Sequence, residues 1–267
     1  AGVDLAAHDL AAKAAGLPLS AFLGGDRVEE IPLIGAVDMV PPAQAADMAR
    51  DLEAQGHRCL KIKIGRDPAE DLARVEAVAK AAGGDVRLRV DGNAGYDRRT
   101  AMEVFQGMDR MGLEWIEQPL PAWDLLGHAE LARRLATPIA LDESVYTAHD
   151  ALAAIRQGAC SVVNLKLVRC GGVYRARQIA CVCQAAGVPC FLGGVLETSP
   201  GVAAGAHFYK GTPNLVSAGE FYGVSHYLDD VVREPLALCN GSLRPGPGPG
   251  LGGAMDQEKI ARYTVDW

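Results

Sequence analysis

Six charged side chains recur at a near-constant interval, each at the end of a short apolar segment: Lys63, Asp91, Glu117, Asp142, Lys166 and Glu220. The first four gaps are 28, 26, 25 and 24 residues, and the last, 54, is two such units. The apolar segments read as strands over 31–37, 60–64, 86–90, 113–116, 138–141, 161–165, 188–192 and 215–218. Ala-rich stretches of helical period fill the gaps, among them 42–55, 68–82, 98–111, 148–157 and 173–186. Strands separated by helices form parallel neighbours, because parallel pairing needs a crossover. The interval is therefore one βα unit, and since no residue pattern repeats from unit to unit, the expected fold is a TIM-like α/β barrel rather than a stacked array. Six charges in register then form a ring on the carboxyl-terminal mouth, where such barrels carry their chemistry.

Composition agrees with this and removes other classes. The chain has 267 residues, 49% of them hydrophobic, and a net charge of −7. That length suits one barrel. An acidic chain without a basic patch disfavours nucleic acid as a partner. Apolar runs are broken well before the roughly 18 residues of a membrane span, and the N-terminus lacks the basic and apolar regions of a signal peptide. Seven cysteines, an odd number without a C-x-x-C pair, point to reduced, mostly buried thiols and a cytoplasmic setting. Residues 1–15 read as a helix closed by Gly16 and Pro18, and the Pro/Gly-rich stretch 243–253 as an extended surface segment.

Asp91, Glu117 and Asp142 offer three hard oxygen ligands from consecutive strand ends, a donor set suited to Mg²⁺. Without a cation they would repel one another unless the neighbouring lysines balanced them. Lys61 and Lys63 are two apart on one strand and so point to the same side, into the barrel. Lys166 lies four strands on, across the mouth. Asn164 shares the inward parity of Lys166. A single acid in such a place caps a helix as readily as it binds a metal, and a single lysine snorkels to the surface; the set as a whole is what favours catalysis.

The segments KIKIG (61–65), VDGNAGY (90–96), WIEQPL (115–120), LDES (141–144) and VNLKLVRCGG (163–172) occur in that order and spacing. Together they resemble the enolase superfamily and, more narrowly, its muconate lactonizing enzyme subgroup, over about residues 1–263. The resemblance implies a (β/α)7β barrel with Mg²⁺ (or Mn²⁺) on Asp91, Glu117 and Asp142. It implies abstraction of the proton α to the carboxylate of a small substrate. It makes Lys63 and Lys166 the acid/base pair on opposite faces of the α-carbon and gives Lys61 the developing enolate oxygen. Asn164, Glu143, Glu197 and Glu220 become candidate supporting or substrate-facing residues. The presence of both Lys63 and Lys166 favours racemisation or epimerisation of an amino-acid derivative; a muconate-type cycloisomerase or a dehydratase of the o-succinylbenzoate synthase kind is the alternative, and a non-catalytic barrel the alternative of another class.

Family members carry a capping domain ahead of the segment matching Ala1. The expected organisation is thus a barrel over 1–232 without that capping domain and a tail over 233–267 that would normally pack on the absent cap, with homo-oligomerisation also expected.

Overall fold

The computed structural model describes all residues except Asp26, Ala237, Asp266 and Trp267. Its strands are β1 (Ile31–Pro32), β2 (Gly35–Val37), β3 (Cys59–Lys63), β4 (Arg87–Asp91), β5 (Leu113–Glu117), β6 (Ile139–Leu141), β7 (Val162–Leu165), β8 (Cys190–Leu192), β9 (Leu238–Cys239) and β10 (Ser242–Leu243). Strands β2 to β8 form one parallel sheet in sequence order, curled with helices outside. Outward side chains such as Leu60, Ile62, Val90, Ile116, Leu141 and Val163 are fully buried in the main core, beneath those helices. Inside the sheet, Trp115, Ala140, Val162 and Phe191 fill the lumen. The wholly buried Arg89 guanidinium lies 3.6 Å from the Trp115 ring centroid. This packed floor leaves chemistry to the carboxyl-terminal mouth above it.

Two strand expectations need correction. Segment 31–37 is not one strand: β1 pairs antiparallel with β10, whereas β2 pairs parallel with β3. Its partners change at Leu33 and Ile34, whose N–H groups donate to Gly241 and Gly219 respectively. Segment 215–218 is not a continuous strand either, because Ser217 takes a left-handed φ of +63°. Leu215 and Gly219 form isolated bridges to β8 and to Leu33. The Val216 and Glu220 N–H groups donate to β8 carbonyls, and Gly219 N–H to Pro32, so this segment still lies between the two edges of the sheet.

The helices read from the sequence lie where the periodicity puts them, with shortened ends, as in Pro68–Ala81 and Arg98–Met108. Ala148–Gln157 matches its expected span because a Thr147–Asp150 capping box opens it and Gly158, left-handed at φ +67°, closes it. Residues 233–267 contribute β9, β10 and the helix Gln257–Tyr263. Gly250 exchanges backbone hydrogen bonds with Leu17 and Leu19, which ties the Pro/Gly-rich stretch to the N-terminal helices. Around the tail, Leu228 is fully exposed and Tyr227, Leu238 and Met255 are partly so.

Asp71 knits the loops after β3 and β4 together. Its Oδ2 accepts from Gly65 N, Arg66 N and the Tyr96 hydroxyl at 2.8, 3.0 and 2.7 Å, and Oδ1 takes the buried Arg74 guanidinium. Burial by itself would raise the Asp71 carboxyl, but these donors together hold it below the usual 3.8. Stability from this group is therefore complete above its unfolded value and lost as pH falls through the lower folded one. Asp71→Asn should cost about 3 kcal/mol, because it removes the buried partner of the Arg74 charge and leaves only the half-exposed Glu70, 3.5 Å away. Denaturant melts at pH 7 and pH 3 check this: the deficit should be large at pH 7 and shrink at pH 3. An equal deficit at both would rule it out.

Candidate active site

Parallel register sets the first half of the site. Lys63 pairs with Asp91, and Asp91 with Glu117, so three adjacent strands bring these side chains to one level. Lys61 lies one pleat below, entirely buried, and its Nζ reaches Asp91 Oδ2 at 3.1 Å, Glu117 Oε2 at 3.5 Å and Glu220 Oε1. Burial would by itself strip a proton from Lys61, but Glu117, Glu220 and Asp91 keep its ammonium well above the ordinary value. Lys61 is therefore a fixed positive charge. Lys63 donates to Asp91 Oδ2 at 2.6 Å and to Asn93 Oδ1 at 2.7 Å, and its side chain is 29% exposed to the mouth.

The second half stands on β6 and β7. Asp142 accepts from Lys166 at 2.8 Å and also from Arg169. Burial opposes the Lys166 charge, but Asp142, Glu220 and Glu117 raise it. Asn164 donates to Glu117 Oε1 at 2.7 Å, linking the two halves. Glu143 accepts from Asn93 Nδ2 at 3.0 Å. Glu197 accepts from Val195 N–H in its own loop and lies close enough to Lys166 and Glu220 to feel their charges. All ten residues read from the sequence thus lie around one mouth. Lys61, Lys63, Asp91, Glu117, Asn164 and Glu220 form a single network of hydrogen bonds and ion pairs.

The expected convergence of Asp91, Glu117 and Asp142 on one point is not seen among the described residues. Each carboxylate turns to a cation of the protein instead, the balance that three buried like charges require. The donor set still suits a divalent ion. All three side chains are buried, and Glu117 is pushed up to about 8 by burial and by Asp91, with Glu220 and Asp142 adding to it against Lys61. Asn164 Oδ1, beside Glu117, is buried without a partner. Negative charge is thus in surplus at Glu117, where a bound cation would relieve it.

Sequence reading missed three residues. Arg169 sits three positions beyond Lys166 on the short helix Leu167–Cys170, so both reach Asp142. Asn93 lies two residues past Asp91. Gln118, wholly buried at φ +35°, accepts from the N–H groups of Asp142 and Ser144 and so aims the end of β6. The charge spacing could have flagged Arg169; Asn93 and Gln118 depend on loop geometry.

A seven-stranded parallel barrel sheet with lysines and carboxylates at its strand ends defines a class, and comparison with known proteins places the chain within it. The family described as Enolase C-terminal domain-like matches residues 44–259. Muconate cycloisomerase 1 of Rhodococcus opacus is 35% identical over 99% of this chain and 71% of its own length. N-succinylamino acid racemase of an Amycolatopsis species is 37% identical over 98% of this chain and 70% of its own length. For o-succinylbenzoate synthase of Geobacillus kaustophilus the figures are 36%, 99% and 69%. Among solved structures, N-succinyl Arg/Lys racemase of Bacillus cereus superposes with a TM-score of 0.95 at 28% identity, covering 100% of this chain and 72% of that one. The chain belongs to the enolase superfamily, whose members use Mg²⁺. It is an enzyme of that superfamily's isomerase branch, acting by abstraction of a proton α to a carboxylate.

Proposed function

We propose that the protein racemises or epimerises an amino-acid derivative, with Lys63 and Lys166 as its two acid/base groups. The carrying observation is that these two side chains stand at the ends of different strands, Lys63 closing β3 and Lys166 directly following β7, each tied to a different strand-end carboxylate, Asp91 and Asp142. A two-sided proton exchange needs one such group on each face of the α-carbon, whereas cycloisomerisation or dehydration uses one. Asp91, Glu117 and Asp142 would hold Mg²⁺, or Mn²⁺ in its place, and the ion supplies Lewis-acid charge to the substrate carboxylate.

Removing the α-proton puts a second negative charge on the same two carboxylate oxygens, so a preorganised cation there lowers the barrier. Lys61 provides one without giving up its proton. Lys63, as the neutral amine, takes the proton from one face, and Lys166, as the ammonium, delivers one to the other; the reverse direction exchanges the two forms. Lys166 acts as a base only when Asp142 no longer holds it as an ammonium. Asn164 keeps Glu117 oriented, while Glu143, Glu197 and Glu220 border the substrate or its supports. Arg169 keeps Asp142 turned inward.

N-acylated amino acids are the first substrates to try, given the relatives named as N-succinylamino acid and N-succinyl Arg/Lys racemases. A screen of N-acylated amino acids, betaines and muconate analogues, followed by solvent deuterium exchange, tests the reading. Exchange into both enantiomers of one compound is the expected result. Turnover of muconates alone would transfer the assignment to cycloisomerisation. We further propose a barrel unit over 1–232, a tail over 233–267 of the kind that would pack on a capping domain this sequence does not carry, a cytoplasmic location and a homo-oligomeric assembly.

A further inference from the structure

We infer that Asn93 is a positioning residue that sets the direction of attack of Lys63, and that Glu143 anchors it; the inference rests on the role proposed above for Lys63. Asn93 makes three hydrogen bonds to three parts of the mouth. Its N–H donates to Asp91 Oδ1 at 3.0 Å, its Oδ1 accepts from Lys63 Nζ at 2.7 Å, and its Nδ2 donates to Glu143 Oε1 at 3.0 Å. Lysine has four rotatable bonds and would lose that freedom only against fixed partners. Asp91 Oδ2 is one, but it is shared with Lys61, so it restrains the Lys63 ammonium without fixing its approach. The amide oxygen of Asn93 adds the second point that defines a direction.

The loop carrying Asn93 is built to stay still. Asn93 and Ala94 take left-handed φ values of +40° and +60°, a backbone strain that persists only where surroundings enforce it. Gly92 N and Ala94 N donate to Glu117 O and Gln118 O at 3.0 and 2.8 Å. Gly65 and Gly95 press against this loop so closely that a Cβ on Gly65 would meet Gly92 O at 2.5 Å, and one on Gly95 would meet Gly65 O at 2.5 Å. Tyr96, bonded to Asp71, closes the loop from behind. On the far side, Glu143 Oε2 is buried without a partner, so the bond from Asn93 to Oε1 is the side-chain tie seen for this carboxylate. Asn93 thereby couples β3 and β4 to the end of β6, and through it one base is aimed while Lys166, held by Asp142, is untouched.

The test uses Asn93→Gly, which accepts the left-handed backbone, with Glu143→Ala and Glu143→Gln. Solvent deuterium exchange is measured separately for each enantiomer. Asn93→Gly should slow exchange of one enantiomer about 100-fold through kcat with KM nearly constant, the penalty of a misaimed group, and leave the other nearly unchanged. Glu143→Ala should reproduce a smaller loss in the same enantiomer, and Glu143→Gln, whose amide oxygen still accepts from Asn93, should restore it. Equal losses in both enantiomers, or no loss, would overturn the inference. Crystal structures of wild type and Asn93→Gly give a readout independent of turnover: Lys63 should occupy one rotamer in the first and several in the second. One unchanged rotamer in both overturns the inference even if the proposed reaction proves wrong. Absence of exchange in the wild type, by contrast, counts against the reaction alone.

Discussion

Lys166→Ala should abolish racemisation, by about 10³-fold or more, while solvent deuterium continues to enter one enantiomer of the substrate. The size is that of a removed general acid/base group. The asymmetry follows from placement: Lys63 stays bonded to Asp91 and Asn93 on β3 and its neighbours, whichever side chain stands at 166. The fold should survive, because Asp142 keeps Arg169 as its ion partner and no buried carboxylate is left alone. Circular dichroism establishes the fold, and enantiomer-resolved exchange by NMR reads the chemistry. Loss of both exchanges in a folded protein would mean that Lys166 orients the substrate rather than moving its proton.

Glu117→Gln should separate metal binding from stability. Glu117 is fully buried, level with Asp91 and bonded to Lys61 and Asn164. An amide there keeps an oxygen but deletes a unit charge. At about 4 Å and an effective dielectric near 20 that charge is worth on the order of 4 kcal/mol per unit of cation charge, so Mg²⁺ affinity by calorimetry should fall at least about a thousandfold. The metal-free protein should melt no lower than wild type, because removing one of the crowded carboxylates relieves their repulsion and leaves Lys61 paired with Asp91 and Glu220. Unchanged Mg²⁺ affinity would remove Glu117 from the ligand set. A large drop in melting temperature without metal would show that its charge is structural.

Much of the site was legible because a βα repeat converts a position in sequence into a place on the mouth. The interval alone set Asp91, Glu117 and Asp142 on consecutive strands, and side-chain alternation put Lys61 and Lys63 on the inner face. Helices with an apolar stripe were equally readable. Ser199–Gly211 was harder, since nearly all its residues are buried and no polar face marks its period. The eighth segment misled for a different reason: its apolar run has strand composition, yet Ser217 turns left-handed and its hydroxyl accepts from Arg87 and Arg89 instead of extending a ladder.

By itself, then, the sequence determined which residues ring the mouth, since strand period and side-chain alternation are local properties of the backbone. Tertiary structure alone decided how their charges pair. Asp142 binds Lys166 and Arg169 while Asp91 binds Lys61 and Lys63, and Asn93 reaches across 50 positions of chain to Glu143. Such pairings depend on the curl of the sheet and the course of its loops, which decide, among residues the interval places on one mouth, which cation meets which carboxylate.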